Sequence, residues 1–324
     1  MAAKVKIKYV TNFAYCDKNH FQIIKGISIL LALLAYVLNT YMGISWLMPL
    51  TNIAAALFLF CSGFGVAESY RRKRGLVHYW ENKAIKVWFP SLVSMIILSL
   101  ILKNNMLSWV GSSPLGVQGT LLYMFFGCYA AFWPFFYFLE NKAARCIGLC
   151  VVAAIAGLII TNDTYIALLP CFPLGVIYSQ YNLKYKVRSM TSGNRWMITL
   201  SCLVLAAGGW VLGVLTEIPY VEILLNAVTY LFGAMFILNL SYSAKAVPIF
   251  GIFVPFGFMA YGLYLFYDSV LLLLNWVNAI ELDLLVFLLL FVVAAVYTWL
   301  CKLLTDLNRT IRRRNSIQLK GSMW

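Results

Sequence analysis

A cation and a polar ring stand eleven residues apart in the first long apolar stretch of the chain. They are Lys25 and Tyr36 of Lys25-Gly26-Ile27-Ser28-Ile29-Leu30-Leu31-Ala32-Leu33-Leu34-Ala35-Tyr36. In a helix, Tyr36 would lie about 16 Å beyond Lys25, near the middle of a hydrocarbon core roughly 30 Å thick. Such a layout could hold an anionic reactant at the water boundary and meet its reacting end inside. A second cationic pair, Lys83 and Lys86, leads into the next apolar segment beside Trp88 and Pro90. A cationic rim there would suit a phosphorylated donor such as coenzyme A. A topology anchor that touches anionic lipid headgroups is enough to account for the preceding Arg71 to Arg74.

Asp268 is the one acid, of eleven, that falls well inside an apolar run. An ionisable group there costs a few kcal/mol and is by default a functional candidate, with an aspartate hydrogen-bonded to a neighbouring helix as the structural alternative. Both histidines, His20 and His78, fall outside the apolar runs. The interior is therefore expected to hold no imidazole, the usual side chain for proton transfer near neutral pH.

The elements that must position these groups follow from composition. Of 324 residues, 63% are hydrophobic and 11% charged, too few charges to cover a soluble domain of this size. The expected fold class is all-α, a polytopic membrane helix bundle. Apolar runs at 22–43, 47–69, 87–103, 118–139, 144–161, 164–180, 195–215, 219–241, 249–275 and 282–304 give about ten transmembrane helices. Nearly all 25 Lys and Arg then fall on one side, in 1–21, 70–86, 140–146, 180–196, 242–248 and 302–324, while Lys103 and most loop acids fall on the other. By the positive-inside rule both termini are cytoplasmic and the protein is a multi-pass component of the cell membrane. The same rule accounts for the net charge of +14 without nucleic acid. The expected organisation is a cytoplasmic N-terminal segment (1–21), a transmembrane domain (22–304) and a basic cytoplasmic tail (305–324). The eight cysteines are scattered, with no C-x-x-C pair, so neither a metal site nor a disulfide framework is indicated.

Four segments resemble the acyltransferase 3 family of integral membrane acyltransferases. Lys25-Gly26-Ile27-Ser28-Ile29-Leu30-Leu31 is similar to the opening of that family's first helix. Leu57-Phe58-Leu59-Phe60-Cys61-Ser62-Gly63-Phe64 resembles its FF-hydrophobic-SGF stretch. Lys83-x-x-Lys86-Val87-Trp88-Phe89-Pro90 resembles its R-x-x-R-I-x-x-P segment. Tyr261-Gly262-Leu263-Tyr264-Leu265-Phe266 resembles its S-Y-G-I-Y-L-x-H segment. The four occur in the family's order.

The resemblance implies a membrane enzyme with no resident cofactor. It would pass an acyl group, usually acetyl, from cytoplasmic acyl-CoA to a hydroxyl of a cell-surface glycan or similar acceptor, with membrane lipid around it. It implies that Lys25, Lys83 and Lys86 hold donor phosphates, and that Ser62 and Tyr36 line the reaction channel. The departures are specific: Tyr36 and Tyr267 occupy the two positions at which the family has histidine. With phenols there, Tyr267 could donate a hydrogen bond and Asp268 could serve as the base. The alternative is a catalytically inactive relative, a scaffold or a glycan or lipid carrier.

Overall fold

The computed structural model describes residues 13–73, 75–76, 78–89, 92, 117–160, 162–245, 248–264, 290–307 and 310. Where they are described, the apolar runs fold as helices, and no strand occurs among the described residues. In chain order these are α1 (Lys18–Met42), α2 (Pro49–Lys73), α3 (Tyr79–Lys83) running into a π-helical turn (Ala84–Trp88), α4 (Val117–Phe138), α5 (Lys142–Ile159), α6 (Asp163–Leu168), α7 (Cys171–Gln180), α8 (Leu183–Ser189), α9 (Ser192–Leu215) and α10 (Pro219–Ser243). They are followed by α11 (Phe250–Tyr264) and α12 (Leu290–Leu307). The limits of α1 have local causes. The Asp17 carboxylate accepts from the His20 amide at 2.7 Å, satisfying a free donor of the first turn. Gly43 ends the helix in the left-handed conformation, its N–H on the Asn39 carbonyl.

Among the described residues, six helices are long and apolar enough to cross a membrane: Lys18–Asn39, Pro49–Arg72, Lys142–Ile159, Ser192–Leu215, Pro219–Ser243 and Leu290–Leu307. The expected run at 87–103 lies almost wholly outside the described residues, as does 249–275 beyond Tyr264. The run at 164–180 is not one helix. Pro170 follows α6 and cannot donate an amide hydrogen bond, so the chain turns and restarts as α7. Both short helices are buried on nearly every side, from Tyr165 to Gln180. A helix apolar all round belongs in a core, and a proline break is tolerated where protein surrounds it. By contrast, α5 turns Ile147, Val151, Ile155 and Leu158 outward along one exposed stripe, a surface compatible with hydrocarbon.

The chain forms two compact units, Met1–Leu76 with Leu121–Phe258, and Val77–Thr120 with Met259–Trp324. In the first, α2 crosses α7 at a reciprocal pair of glycines. A Cβ on Gly63 would collide with the Phe172 carbonyl oxygen, and one on Gly175 with the Phe60 carbonyl oxygen. Neither helix can yield without separating, because the obstacle is backbone. Gly175→Val is therefore expected to lower stability by about 1–3 kcal/mol or more. Gly65→Ala, at a glycine whose Cβ would meet nothing within 4 Å, should be neutral or better. Thermal unfolding of the purified protein in detergent compares the two, and equal effects would contradict this packing.

Several of the basic connecting segments meet at one end of this unit. Arg145 donates to the Tyr70 phenol at 3.0 Å, Lys184 to the Glu68 carboxylate at 2.9 Å, and Arg188 to the Tyr15 carbonyl at 2.7 Å. The Thr199 and Ser243 hydroxyls join the start of α9 to the end of α10 at 3.4 Å. These contacts join parts of the basic segments 1–21, 140–146 and 180–196 to the end of α2 or to one another. The second unit holds α3, the π-helical turn, the end of α11, and α12. A Cβ on Gly262 would lie 3.1 Å from the Ala294 carbonyl oxygen, which shows how closely α11 and α12 pack.

Candidate functional site

The four resembling segments fall two to each unit. In the first unit, Lys25 is half-buried on α1, within electrostatic reach of Cys61 on α2, the residue before Ser62. One turn earlier on α1, the Phe21 ring lies 4.9 Å from that of Phe64. The Ser62 hydroxyl is hydrogen-bonded to the phenol of Tyr129 on α4. Two glycines of these segments mark helix crossings: Gly63 meets α7 as described, and a Cβ on Gly26 would strike the Phe253 carbonyl of α11. Tyr36 lies on α1 about three turns past Lys25.

In the second unit, Lys83 ends α3, its Nζ 6.0 Å from the centroid of the Tyr79 ring. Lys86 falls in the π-helical turn. Such turns widen the hydrogen-bond ladder and recur at functional sites. The Val87 carbonyl within this turn accepts from the Tyr261 phenol at 3.0 Å. One hydrogen bond thus ties the Lys83-to-Pro90 segment to the Tyr261-to-Phe266 segment. Tyr267 and Asp268 lie outside the described residues, as does nearly all of the 305–324 tail. Lys25, Tyr36 and Ser62 belong to one unit, and Lys83 and Lys86 to the other.

Two groups that the sequence reading passed over dominate the polar interior of the first unit. The first corrects the expectation that no imidazole is buried. His20 lies in the first turn of α1 and is 0% exposed. The preceding residues fold back with it, with Phe13, Tyr15 and Cys16 buried, and Cys16 takes a positive φ of 56° to begin the turn. Nδ1 of His20 accepts from the Cys16 N–H at 2.9 Å, while Nε2 lies 2.9 Å from the Ser241 hydroxyl. With its Nδ1 lone pair engaged, the neutral ring carries its proton on Nε2 and donates to Ser241. Ser241 in turn donates to the Leu238 carbonyl at 3.1 Å. A histidine in this tautomer takes no proton from Ser241, so the pair is a structural relay and not a nucleophile with its base.

Tyr15 extends this network. Its single proton goes to Asn239 Oδ1 at 2.8 Å, so the Tyr178 phenol, 3.2 Å away, donates to it. Burial pushes the Tyr15 phenol well above its usual range and does the same for the Cys16 thiol, so both stay protonated. A buried protonated thiol is not a reactive one.

The second group centres on Glu68, near the end of α2. Its carboxylate accepts two bonds from Arg71, at 2.9 and 3.0 Å, one from Arg72 at 3.2 Å and one from Lys184 at 2.9 Å. Ser179 adds a fifth at 3.3 Å. Asn182, between α7 and α8 with φ 55°, receives a further hydrogen bond from Arg71. One carboxylate thus closes α2, α7 and α8 together. The sequence signal was the Glu68-to-Arg72 spacing on a helix, but Lys184 could be found only from the fold. Among the described residues no cluster of histidine, cysteine or acids could hold a metal ion. No protein-family model matches the chain, and no curated protein or solved structure matches it.

Proposed function

We propose that this chain is an acyltransferase-like protein of the cell membrane, spanning it about ten times with both termini cytoplasmic. It takes an acyl group, acetyl in the simplest case, from cytoplasmic acyl-CoA and passes it to a hydroxyl of a glycan or similar acceptor. The observation that supports this reading is the hydrogen bond from the Tyr261 phenol to the Val87 carbonyl, which joins the third resembling segment to the fourth.

In this reading Lys25, Lys83 and Lys86 hold the donor's phosphates, and Tyr36 with Ser62 lines the path of the acyl group. Tyr129 fixes the Ser62 hydroxyl in one orientation. The acceptor oxygen attacks the thioester carbonyl carbon, the C–S bond breaks, and an ester forms. The acceptor's proton leaves through Asp268 and ends on the departing sulfur, while Tyr267 donates a hydrogen bond to the carbonyl oxygen as it gains charge.

The replacement of both histidines favours a second reading, a carrier or scaffold that does not use acyl-CoA. Equilibrium binding of labelled acetyl-CoA to the purified full chain separates the two. Saturable binding competed by free CoA is expected, and Lys25→Met and Lys83→Met should each weaken it about tenfold or more, the scale of one charge-assisted hydrogen bond. No saturable binding would remove the acyltransferase reading and leave the carrier.

A further inference from the structure

A second site lies on the other face of α1. A cavity of about 500 Å³ lies among α1, α2, α9, α10 and α11, lined by Ile27, Leu31, Ile53, Ala206, Gly233 and Ser241 among others. Along α10 it extends from Thr229 to Ser241, about 18 Å of helix. At 100° per residue, Ile27 and Leu31 project from α1 well away from Lys25, so the cavity lies on a different side of the helix from that cation. Its two recorded hydroxyls are already spent: Thr229 donates to the Leu225 carbonyl at 2.9 Å and Ser241 to the Leu238 carbonyl at 3.1 Å. Small residues on α9 and α10 leave the room, and nothing in the lining asks for a polar occupant. The slot follows α10, a helix of membrane-crossing length. It has space for one extended hydrocarbon chain.

The basic end of the slot carries two cations that have no ion-pair partner among the described residues. Beside Ser241, the ring of Tyr242 has two cations on it: the Arg195 guanidinium at 5.2 Å and the Lys245 ammonium at 4.9 Å. Arg195 donates to the Met190 carbonyl at 3.3 Å, and its Nε is buried with no hydrogen-bond partner. Of the acids at this end, Glu68 is held by Arg71, Arg72 and Lys184, and the Asp17 carboxylate caps α1. Two neighbouring cations repel unless an anion lies between or beside them, and the faces of one aromatic ring offset this only in part.

We infer that the slot binds an anionic glycerophospholipid, one acyl chain lying along α10 and the phosphate seated at Arg195 and Lys245. This rests on the helices being membrane-spanning, not on acyl transfer. The test is native mass spectrometry of the full chain released from nanodiscs of equal phosphatidylglycerol and phosphatidylcholine. One retained lipid is expected, with phosphatidylglycerol preferred about thirtyfold for two juxtamembrane cations. Ala207→Phe, at a slot-lining residue, should remove the retained lipid. The double change Arg195→Gln with Lys245→Gln should keep a lipid but abolish the preference, and it tests the site even if Ala207→Phe fails to fold. Equal retention of the two lipids by the unaltered chain would overturn the inference. So would displacement of the lipid by palmitoyl-CoA at equal concentration, which would assign the slot to the donor.

Discussion

Changing Tyr36 and Tyr267 together to histidine is expected to raise acyl transfer by about 10²–10⁴-fold, the usual contribution of a positioned proton-transfer group. A phenol with an ordinary pKa near 10 is almost wholly protonated at neutral pH, so it can donate a hydrogen bond but rarely accept a proton. An imidazole near 6.5 does both at pH 7. Tyr36 stands about 16 Å along α1 from Lys25, a separation that suits a donor anchored by its phosphates with its reacting end held inside. The gain should appear mainly in turnover and not in donor affinity, because the anchoring cations are unchanged. It should also have a pH signature. The unprotonated ring is the base, so the added activity should rise with pH through about 6.5 and level off above it. Transfer of labelled acetyl groups in membranes, measured for both single changes and the pair, reads these effects. Unchanged transfer in the pair, with donor binding intact, would mean that neither position holds a reacting group.

Glu68→Gln is expected to cost about 3–5 kcal/mol of stability, the scale for leaving a buried charge without its partner. The glutamine keeps the volume and one acceptor oxygen but not the charge. Lys184 suffers most, because its side chain is only 5% exposed and Glu68 is its ion-pair partner. Arg72 suffers least, at 74% exposed, since water compensates it. Lys184→Met should cost less than Glu68→Gln, because Glu68 would keep both arginines and the methionine can pack against Phe64, over which the ammonium lies at 5.6 Å. Combining the two changes should recover part of the loss, a coupling that a double-mutant cycle in detergent isolates. Strict additivity would show that the carboxylate and the lysine do not share one buried network.

Several elements could be read from the sequence because a single physical signal sets them. The runs at 22–43, 47–69, 195–215 and 219–241 correspond to α1, α2, α9 and α10 within a few residues, since uninterrupted apolarity over that length leaves a helix as the one way to satisfy the backbone. Parts of the basic segments 1–21, 140–146 and 180–196 likewise meet the end of α2 or one another. The 164–180 run was harder. Hydropathy records that its residues are apolar, not that protein surrounds them, so the broken, buried α6 and α7 could not be told from a short lipid-facing span. His20 was misplaced for a related reason. A polar residue at the edge of an apolar run looks solvated until Tyr15, Cys16 and the end of α10 are known to close over it. The four resembling segments were visible by their order, but the crossings of Gly26 with α11 and of Gly63 with α7, and the hydrogen bond to the carbonyl of Val87, are not revealed by sequence spacing.

The most direct measurement of the central claim is transfer from labelled acetyl-CoA in membranes carrying the unaltered chain, against membranes that lack it. The account predicts a slow, saturable release of free CoA matched by label in an acceptor, and its loss when Lys25 and Lys83 are both changed to methionine. Label transfer no greater than in membranes without the chain, both for this protein and for the Tyr36→His, Tyr267→His variant, would contradict it.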